Sequence, residues 1–375
     1  MGGHERLAVE LAVELNRQCH NTHLLSQYRR DLPGVIFAEK KLHDAGVQSI
    51  NYLNLKTNPN IANIFCAILR FRKLVIRENY DAIEVSGFAP SIIASIALFD
   101  KSIKILVGIH RIYTSKRHNS LRMNLWKLLL RGCPNISFYA ISQAVAKAWS
   151  VYLGFNRTVP VVYNNVNTKF FRNNAFSKIE HSNFRSELGL SPSTICILFV
   201  GRLLRSKGLD LIYFGLRDQL ISSDLHLVFI GRKDYSEDPN DKLLLNSINS
   251  DLQDSSWANH VHFLGLRNDV AEIMSSCSVL VHPARTEGFG LVLVEAMSCG
   301  LPVVASNVDG IPEVLSGTKS IMIDPNDPFI LANAVKEVLS WSEDKKKDAV
   351  TLGKERARDF HVQNRSAEIL KILSL

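Results

Sequence analysis

The sequence has no long apolar run. Its longest nearly uncharged stretch, "GFAPSIIASIALF" over 87–99, is too short to cross a bilayer as a helix. It has no paired cysteines either. Cys19, Cys66, Cys133, Cys196, Cys277 and Cys299 are scattered, with no C-x-x-C. That argues against a disulfide framework or a zinc site and for a reducing compartment. No low-complexity tract occurs, and the N-terminus lacks the charged, apolar and small-residue order of a secretory signal. No G-x-G-x-x-G follows the first strand of either half, which speaks against a dinucleotide-dependent dehydrogenase.

What is present is globular. The chain has 375 residues, 46% hydrophobic and 21% charged, a length that suits two or three domains. The net charge of +8 is uneven. Residues 1–170 hold 22 Lys and Arg against 10 Asp and Glu, and the remainder holds 22 against 26. The first half should attract phosphates or an anionic membrane surface. An ordinary solvated basic surface is the alternative.

Short β-rich runs alternate with helical patterns throughout. Strands are expected at 47–53, 81–86, 104–109, 136–141 and 159–163, and again at 195–201, 225–231, 261–265, 278–282 and 302–306. Helix-length segments lie between them, among them 4–18, 61–78, 208–221 and 328–341. Apolar runs of this length separated by helices indicate buried parallel strands. The polar stretch over roughly 165–194 reads as a domain boundary. The expected fold class is therefore α/β, with two doubly wound, Rossmann-like domains in tandem. Ligand should bind at strand carboxyl ends, in a cleft between the domains. Residues 351–375 read as one helix with a late apolar stripe at Ala367, Leu370 and Ile372 or Leu373.

Chemistry concentrates in "RTEGFGLVLVEAMSCGLPVVAS" over 285–306. Glu287 and Glu295 stand eight positions apart, with Gly288 and Gly290 after the first and an apolar helix pattern carrying the second. Glycine allows close backbone approach. The start of the helix near Phe289 or Gly290 offers unpaired N–H groups at its positive end. Together they suit an anion or a sugar hydroxyl. A loop carboxylate and a solvated helix glutamate remain the plainer reading. A second turn, "FVGRLLRSKGLDLI" over 199–212, places Arg202 and Lys207 where a strand hands over to a helix, a position that favours a diphosphate. A charged surface turn is its plainer reading.

At these residues the chain resembles the retaining GT-B glycosyltransferases of family 4. The resemblance rests on "GRLLRSKGLDLI", on "VHFLGLRNDVAEIMSSCSVLVHPARTEGFGLVLVEAMSCGLPVVASNVDGIPEV" and on "VVYNNVNTKFF". The E-x7-E unit enclosing G-F-G, preceded by G-R-x-x-x-x-K-G, is its most specific part. The block "HFLGLRNDVAEIM…VLVHPA" is similar to bacterial transferases that build lipopolysaccharide core and surface glycans.

The resemblance implies roles. Arg202 and Lys207 would clamp the donor diphosphate. Glu287 with Gly288, Phe289, Gly290 and Leu291 would hold the transferred sugar, and Glu295 the ribose. Gly265 and Leu266 would contact the base. "LVGIHRIY" marks His110 as the histidine near the anomeric centre. Taken alone, a lone strand-end histidine is more often structural. "MGGHERLAVEL" puts Gly2 and Gly3 in the loop beside the donor phosphates and acceptor. The implied domains are 1–167 for the acceptor, 168–350 for the donor and a 351–375 helix returning to the first.

The implied activity is retaining transfer of a hexosyl unit from a nucleotide-diphosphate sugar. A UDP-sugar is favoured over GDP-mannose, and the acceptor is a glycan or lipid-linked molecule of surface-polysaccharide or lipopolysaccharide synthesis. No D-x-D occurs anywhere, so Arg202, Lys207 and helix dipoles would neutralise the leaving diphosphate and no metal or other cofactor is expected. A sugar-nucleotide epimerase and a non-catalytic nucleotide-sugar binder are the competing readings. Nothing resembles the paired carboxylates of a glycoside hydrolase.

Two departures from the family bear on these expectations. "NNVN" at 164–167 replaces N-G-V-D, a tolerable change because Asn also enters left-handed turns. The family also places a buried strand before the glycine loop, whereas this sequence starts within the loop. The native reading frame is accordingly expected to begin upstream of Met1. The expected location is cytoplasmic, with peripheral association at the cytoplasmic face of the inner membrane, and no nucleic acid is expected as a partner. Arg111, Lys116, Arg117, Arg122, Lys127 and Arg131 stand among Leu121, Leu125, Trp126 and Leu128 with no acid, and "ILRFRKLVIR" (68–77) adds further bases. An ordinary core helix at 118–131 is the alternative.

Overall fold

The structure, a computed structural model, describes residues 3–26, 39–40, 42–47, 49–53, 60–112, 124, 127–128, 132–154, 159–171, 183–222, 224–233, 238–253 and 255–374. The chain divides into two units, Met1–Asn165 with His361–Leu375, and Val166–Phe360.

In the first unit, helix α1 (Gly3–Arg17) precedes the short parallel pair β1 (His23–Ser26) and β2 (Ser49–Tyr52). Helix α2 (Ile61–Glu78) leads to β3 (Ala82–Ser86), α3 (Phe88–Ala97), β4 (Lys104–Ile109), β5 (Ile136–Ala140) and α4 (Gln143–Leu153). Strands β3, β4 and β5 form a parallel sheet in that order. Five of the six residues of β4 are buried, as a strand flanked on both edges and covered on both faces requires. Asn60 caps α2 by accepting from the Asn63 amide. Ala67, Phe71 and Val75 of that helix pack with Val85, Ile105 and Val107 of the sheet.

In the second unit, α5 (Asn183–Glu187) and β6 (Ile195–Val200) are followed by a 3-10 turn at Arg205–Lys207. Next come α6 (Leu209–Gly215), α7 (Arg217–Ser222), β7 (Leu225–Ile230), α8 (Pro239–Gln253), β8 (Val261–Gly265), α9 (Val270–Ser276) and β9 (Val279–His282). The unit continues through α10 (Leu291–Cys299), β10 (Val303–Ser306), α11 (Ile311–Val314), β11 (Ile321–Ile323), α12 (Pro328–Leu339) and α13 (Glu343–Arg358). The strands make one parallel sheet in the order β11-β10-β9-β6-β7-β8. Strand order reverses between β6 and β9, the topological switch point of a doubly wound sheet, where ligands bind outside the strand carboxyl ends. β7, β9 and β10 are buried at every residue, whereas the edge strands β8 and β11 are only partly so.

The C-terminal stretch needs correction. It is not one helix over 351–375. Helix α13 ends at Arg358, and a separate α14 spans Val362–Leu373 and belongs with the first unit. Phe360, 1% exposed, packs its ring edge-on against Phe289 at 5.2 Å. His361 then caps α14 by accepting from the Gln363 amide. The buried face of α14 runs through Arg365, Ser366, Ile369 and Leu373, and Ala367 is exposed. The helix expected at 208–221 is likewise two helices, α6 and α7, broken after Gly215.

No helix among the described residues is long and apolar enough to cross a membrane. Of the basic stretch 111–131, only 111–112, 124 and 127–128 are described, and the remaining residues lie outside the described set.

Candidate active site

Two glycines draw the exits of β6, β7 and β9 together. Gly208 closes the 3-10 turn with φ +78°, and a Cβ there would lie 2.3 Å from the Pro283 carbonyl oxygen. Only glycine allows the turn to sit against the β9 exit. Gly231, after β7, is closer still: its Cβ would meet the Gly201 carbonyl oxygen at 1.8 Å. Arg285 fastens the arrangement. Its amide donates to Ser206 O at 2.9 Å, and its guanidinium forks onto Asp210 at 2.7 and 2.8 Å.

Lys207 thereby reaches Glu287, with Nζ donating to Oε2 at 2.6 Å. His282 Nε2 donates to the same oxygen at 3.2 Å. Asp309 holds the loop from behind, accepting from the Thr286 hydroxyl at 2.8 Å and the Glu287 amide at 3.0 Å. The Gly310 amide donates to Glu287 O at 3.1 Å. Burial favours the neutral Glu287 acid, but the His282 hydrogen bond and the Lys207 charge outweigh it. They hold the carboxyl well below the usual carboxylate range.

Beyond Glu287, Gly290 adopts φ +88° at the N-cap of α10. A Cβ there would press on Leu293 Cδ1 at 2.8 Å. Gly288 and Leu291 flank this cap. Phe289 is 1% exposed, so its side chain is a packing group and only its backbone faces the loop chemistry. Glu295 is buried within α10. Arg202 is exposed just past β6. Gly265 ends β8 with φ +66° and open space around its Cβ position, and the next side chain, Leu266, is 73% exposed.

The remaining expected residues lie in the first unit. Gly2 falls outside the described residues, and Gly3 is the first residue of α1. His110 follows β4, its Nε2 3.1 Å from the Ser86 hydroxyl. The Trp149 indole donates to the Arg111 carbonyl at 2.6 Å, fixing the backbone that follows.

The structure thus joins Lys207 directly to Glu287. It adds His282, Asp309 and the Arg285–Asp210 fork, which sequence reasoning missed. His282 had a signal, being the last residue of an apolar strand five positions before Glu287. Asp309 sits in a turn with φ +49°, where an aspartate is common for local reasons.

The description "Glycosyltransferase Family 4" matches residues 1–170, and "Glycosyl transferases group 1" matches residues 194–340. An uncharacterized glycosyltransferase of Methanocaldococcus jannaschii is 32% identical over 44% of this chain and 43% of its own length. The chain thus spans less than half of that relative. The N-acetyl-alpha-D-glucosaminyl L-malate synthase of Bacillus anthracis is 22% identical over 92% of this chain and 86% of its own. Among solved structures, Anabaena HepE in complex with UDP-glucose superposes with a TM-score of 0.81 at 20% identity, covering 100% of this chain and 96% of that one. This likeness shows the GT-B fold. With the two domain types matched in sequence order along most of its length, the chain belongs to the group 1 and family 4 glycosyltransferases.

Proposed function

We propose that this chain transfers a hexosyl unit from a nucleoside-diphosphate sugar to a glycan or lipid-linked acceptor of the cell surface, with retention of configuration and without a metal ion. A UDP-sugar is the favoured donor and GDP-mannose the second. The observation that carries this reading is the Lys207–Glu287 pair at the switch point between β6 and β9. A cation is fixed there by its partner carboxylate beside the N-terminus of α10.

Breaking a glycosyl–phosphate bond leaves negative charge on the nucleoside diphosphate. Lys207 and Arg202 supply positive charge at the strand exits where that group would sit. Lys207 is already oriented, so little reorganisation is needed as charge develops. Among the described residues, both protein contacts to the Glu287 side chain fall on Oε2, and Oε1 is assigned to accept from sugar hydroxyls. Amides of Gly288, Phe289, Gly290 and Leu291 offer donors at the start of α10. Glu295 is assigned to the ribose. The open backbone at Gly265 with exposed Leu266 suits one edge of a base. His110 is the first unit's candidate at the reaction centre. Gly2 and Gly3 are assigned to the phosphate and acceptor loop. The UDP-glucose complex of HepE supports the preference for a UDP-sugar, and the working location is the cytoplasmic face of a membrane.

The test is a panel of UDP-, GDP- and ADP-sugars. Binding stabilises the folded state by mass action, so a true donor raises the melting temperature with its concentration. Donor hydrolysis, or transfer when acceptor extracts are added, should accompany it. Stabilisation without turnover would make the chain a binder, and isomerised donor without acceptor would make it an epimerase. No stabilisation by any donor would sink the site assignment.

A further inference from the structure

The first unit holds a chain of hydrogen bonds that ends on His110. Register across the parallel sheet aligns Ser86 with Gly108 and Gly108 with Tyr139. Side chains two apart on a strand share a face. Glu84 and Ser86 of β3, His110 beyond β4, and Tyr139 of β5 therefore project to one side. The Tyr139 hydroxyl donates to Glu84 Oε1 at 2.7 Å, reaching across the intervening strand. It can do so because position 108 has no side chain. A Cβ on Gly108 would stand 2.6 Å from Tyr139 Oη and 2.9 Å from His110 Nε2. A glycine inside a buried strand costs stability, and here it opens the space the network occupies. The far end is anchored by Arg365, whose Nη2 donates to Tyr139 Oη at 3.1 Å.

Proton counting fixes the near end. A carboxylate only accepts, and a serine has one hydroxyl proton. Ser86 Oγ donates to Glu84 Oε1 at 3.0 Å. Its oxygen is then an acceptor toward His110 Nε2, 3.1 Å away. We propose that Ser86 and Glu84 are positioning residues that hold neutral His110 as the Nε2–H tautomer, with the ring lone pair on Nδ1. Tyr139, itself held by Arg365, keeps the Glu84 carboxylate in place over Gly108. Any proton added to the ring then goes to Nδ1, the nitrogen that carries the lone pair.

The tautomer is read without any substrate. The full chain is labelled with 15N-histidine and examined above the usual histidine range, at about pH 8. His110→Gln assigns the resonance. The expected spectrum shows a protonated Nε2 and an unprotonated Nδ1. Ser86→Ala and Glu84→Ala should each admit the Nδ1–H form, the first by removing the acceptor and the second by freeing the serine proton to turn toward the ring. Ser86→Thr should restore the original form. A wild-type ring protonated at Nδ1 would overturn the proposal, as would a tautomer unmoved in both alanine variants. The kinetic arm rests on the proposed function of His110. There Ser86→Ala should lower kcat about ten- to a hundredfold with little change in donor KM, the scale of a misplaced reacting group. If the tautomer moves and kcat does not, the role of His110 in transfer fails while the positioning stands.

Discussion

Lys207 and Arg202 share the proposed diphosphate but stand differently in the structure. The Lys207 side chain is 16% exposed and bonded to Glu287, whereas Arg202 is exposed at the β6 exit. Lys207→Ala should therefore cost more turnover than Arg202→Ala, about 3 kcal/mol or roughly a hundredfold in kcat. It should also change the pH profile. The Lys207 charge helps keep Glu287 ionised far into acid, so activity that needs the carboxylate persists as pH falls. Without Lys207 the Glu287 acidity weakens, and the acid limb of kcat should move to higher pH. A limb that stays in place would separate Glu287 from the step. Glu295→Ala should raise donor KM more than it lowers kcat, because ribose contacts change little on the way to the transition state. Full loss of activity in EDTA, restored by magnesium or manganese, would refute the metal-free clamp. Lys207 and Glu287 were legible because their spacing motifs are specific. His282 and Asp309 were not, since a strand-end histidine or a turn aspartate occurs for many reasons and only coordinates show them converging on Glu287.

At the scale of elements, buried strands announced themselves because continuous apolar runs of Val, Ile and Leu have few other uses in an α/β chain. The short strands β1 and β11 escaped notice, as their three or four residues carry too little pattern. Helix α2 was expected, yet its apolar arc is wider than the core covers. Ala67, Phe71 and Val75 are buried, while Ile61, Phe65, Leu69 and Ile76 are 87, 58, 51 and 51% exposed. Their spacing puts them along one stripe, flanked by Lys73 and Arg77 in a strongly basic half of the chain. This stripe is proposed to dock on an anionic membrane surface, apolar side chains entering while each nearby base adds about 1 kcal/mol. Flotation with neutral and anionic vesicles checks it: Phe65→Ser with Leu69→Ser should weaken anionic binding, and equal binding to both vesicle types would refute it. A second element-level prediction concerns the N-terminal ends of β7 and β8. His226 Nδ1 lies 2.8 Å from His262 Nε2, so one ring donates and the other accepts. Burial first, then the charges of His226 and His260, push the His262 pKa down from 6.5 to about 4. Between those values the unfolded chain binds a proton that the folded chain does not. Stability should then be full above about pH 6.5 and fall as pH drops toward 4, by on the order of 1 to 2 kcal/mol after solvent screening. Denaturant titrations across that window should show the slope, and His262→Phe should flatten it. An unchanged slope in that variant would exclude His262 as its source.

At the scale of the whole molecule, the chain leaves its first unit after Asn165 and returns to it at His361. The polar stretch over 165–194 signalled the departure, because it holds few apolar runs, and its helix α5 has only five residues. The return was harder to read. The buried face of α14 contains a charged residue, Arg365, which is 3% exposed and breaks the apolar stripe that marks a packed helix. Its guanidinium donates to Leu7 O at 3.3 Å, to Asn165 Oδ1 at 3.0 Å and to Tyr139 Oη at 3.1 Å. Asn165 in turn donates to Glu10 at 2.7 Å. Burial works against the Arg365 charge, but Tyr139, Glu84 and Glu10 outweigh it and raise its pKa. One cation from the last helix thus stands among two carboxylates, Glu84 and Glu10, the second of which also pairs with Arg6 at 3.3 Å, and ties α1 and the β3–β5 sheet to residues on both sides of the excursion. Removing one charge from a buried cluster leaves its partners less well compensated, at a cost of up to about 3 to 5 kcal/mol. Arg365→Met, which keeps the volume and deletes the charge, should therefore destabilise the first unit selectively. Amide exchange should quicken in β3, β4 and β5, while β6, β7 and β9 stay protected. Affinity for the bare nucleoside, whose ribose and base are assigned to Glu295, Gly265 and Leu266 of the second unit, should be unchanged in the same variant. Equal loosening of both sheets, or a nucleoside affinity that falls along with stability, would show that Arg365 supports the molecule as one cooperative body.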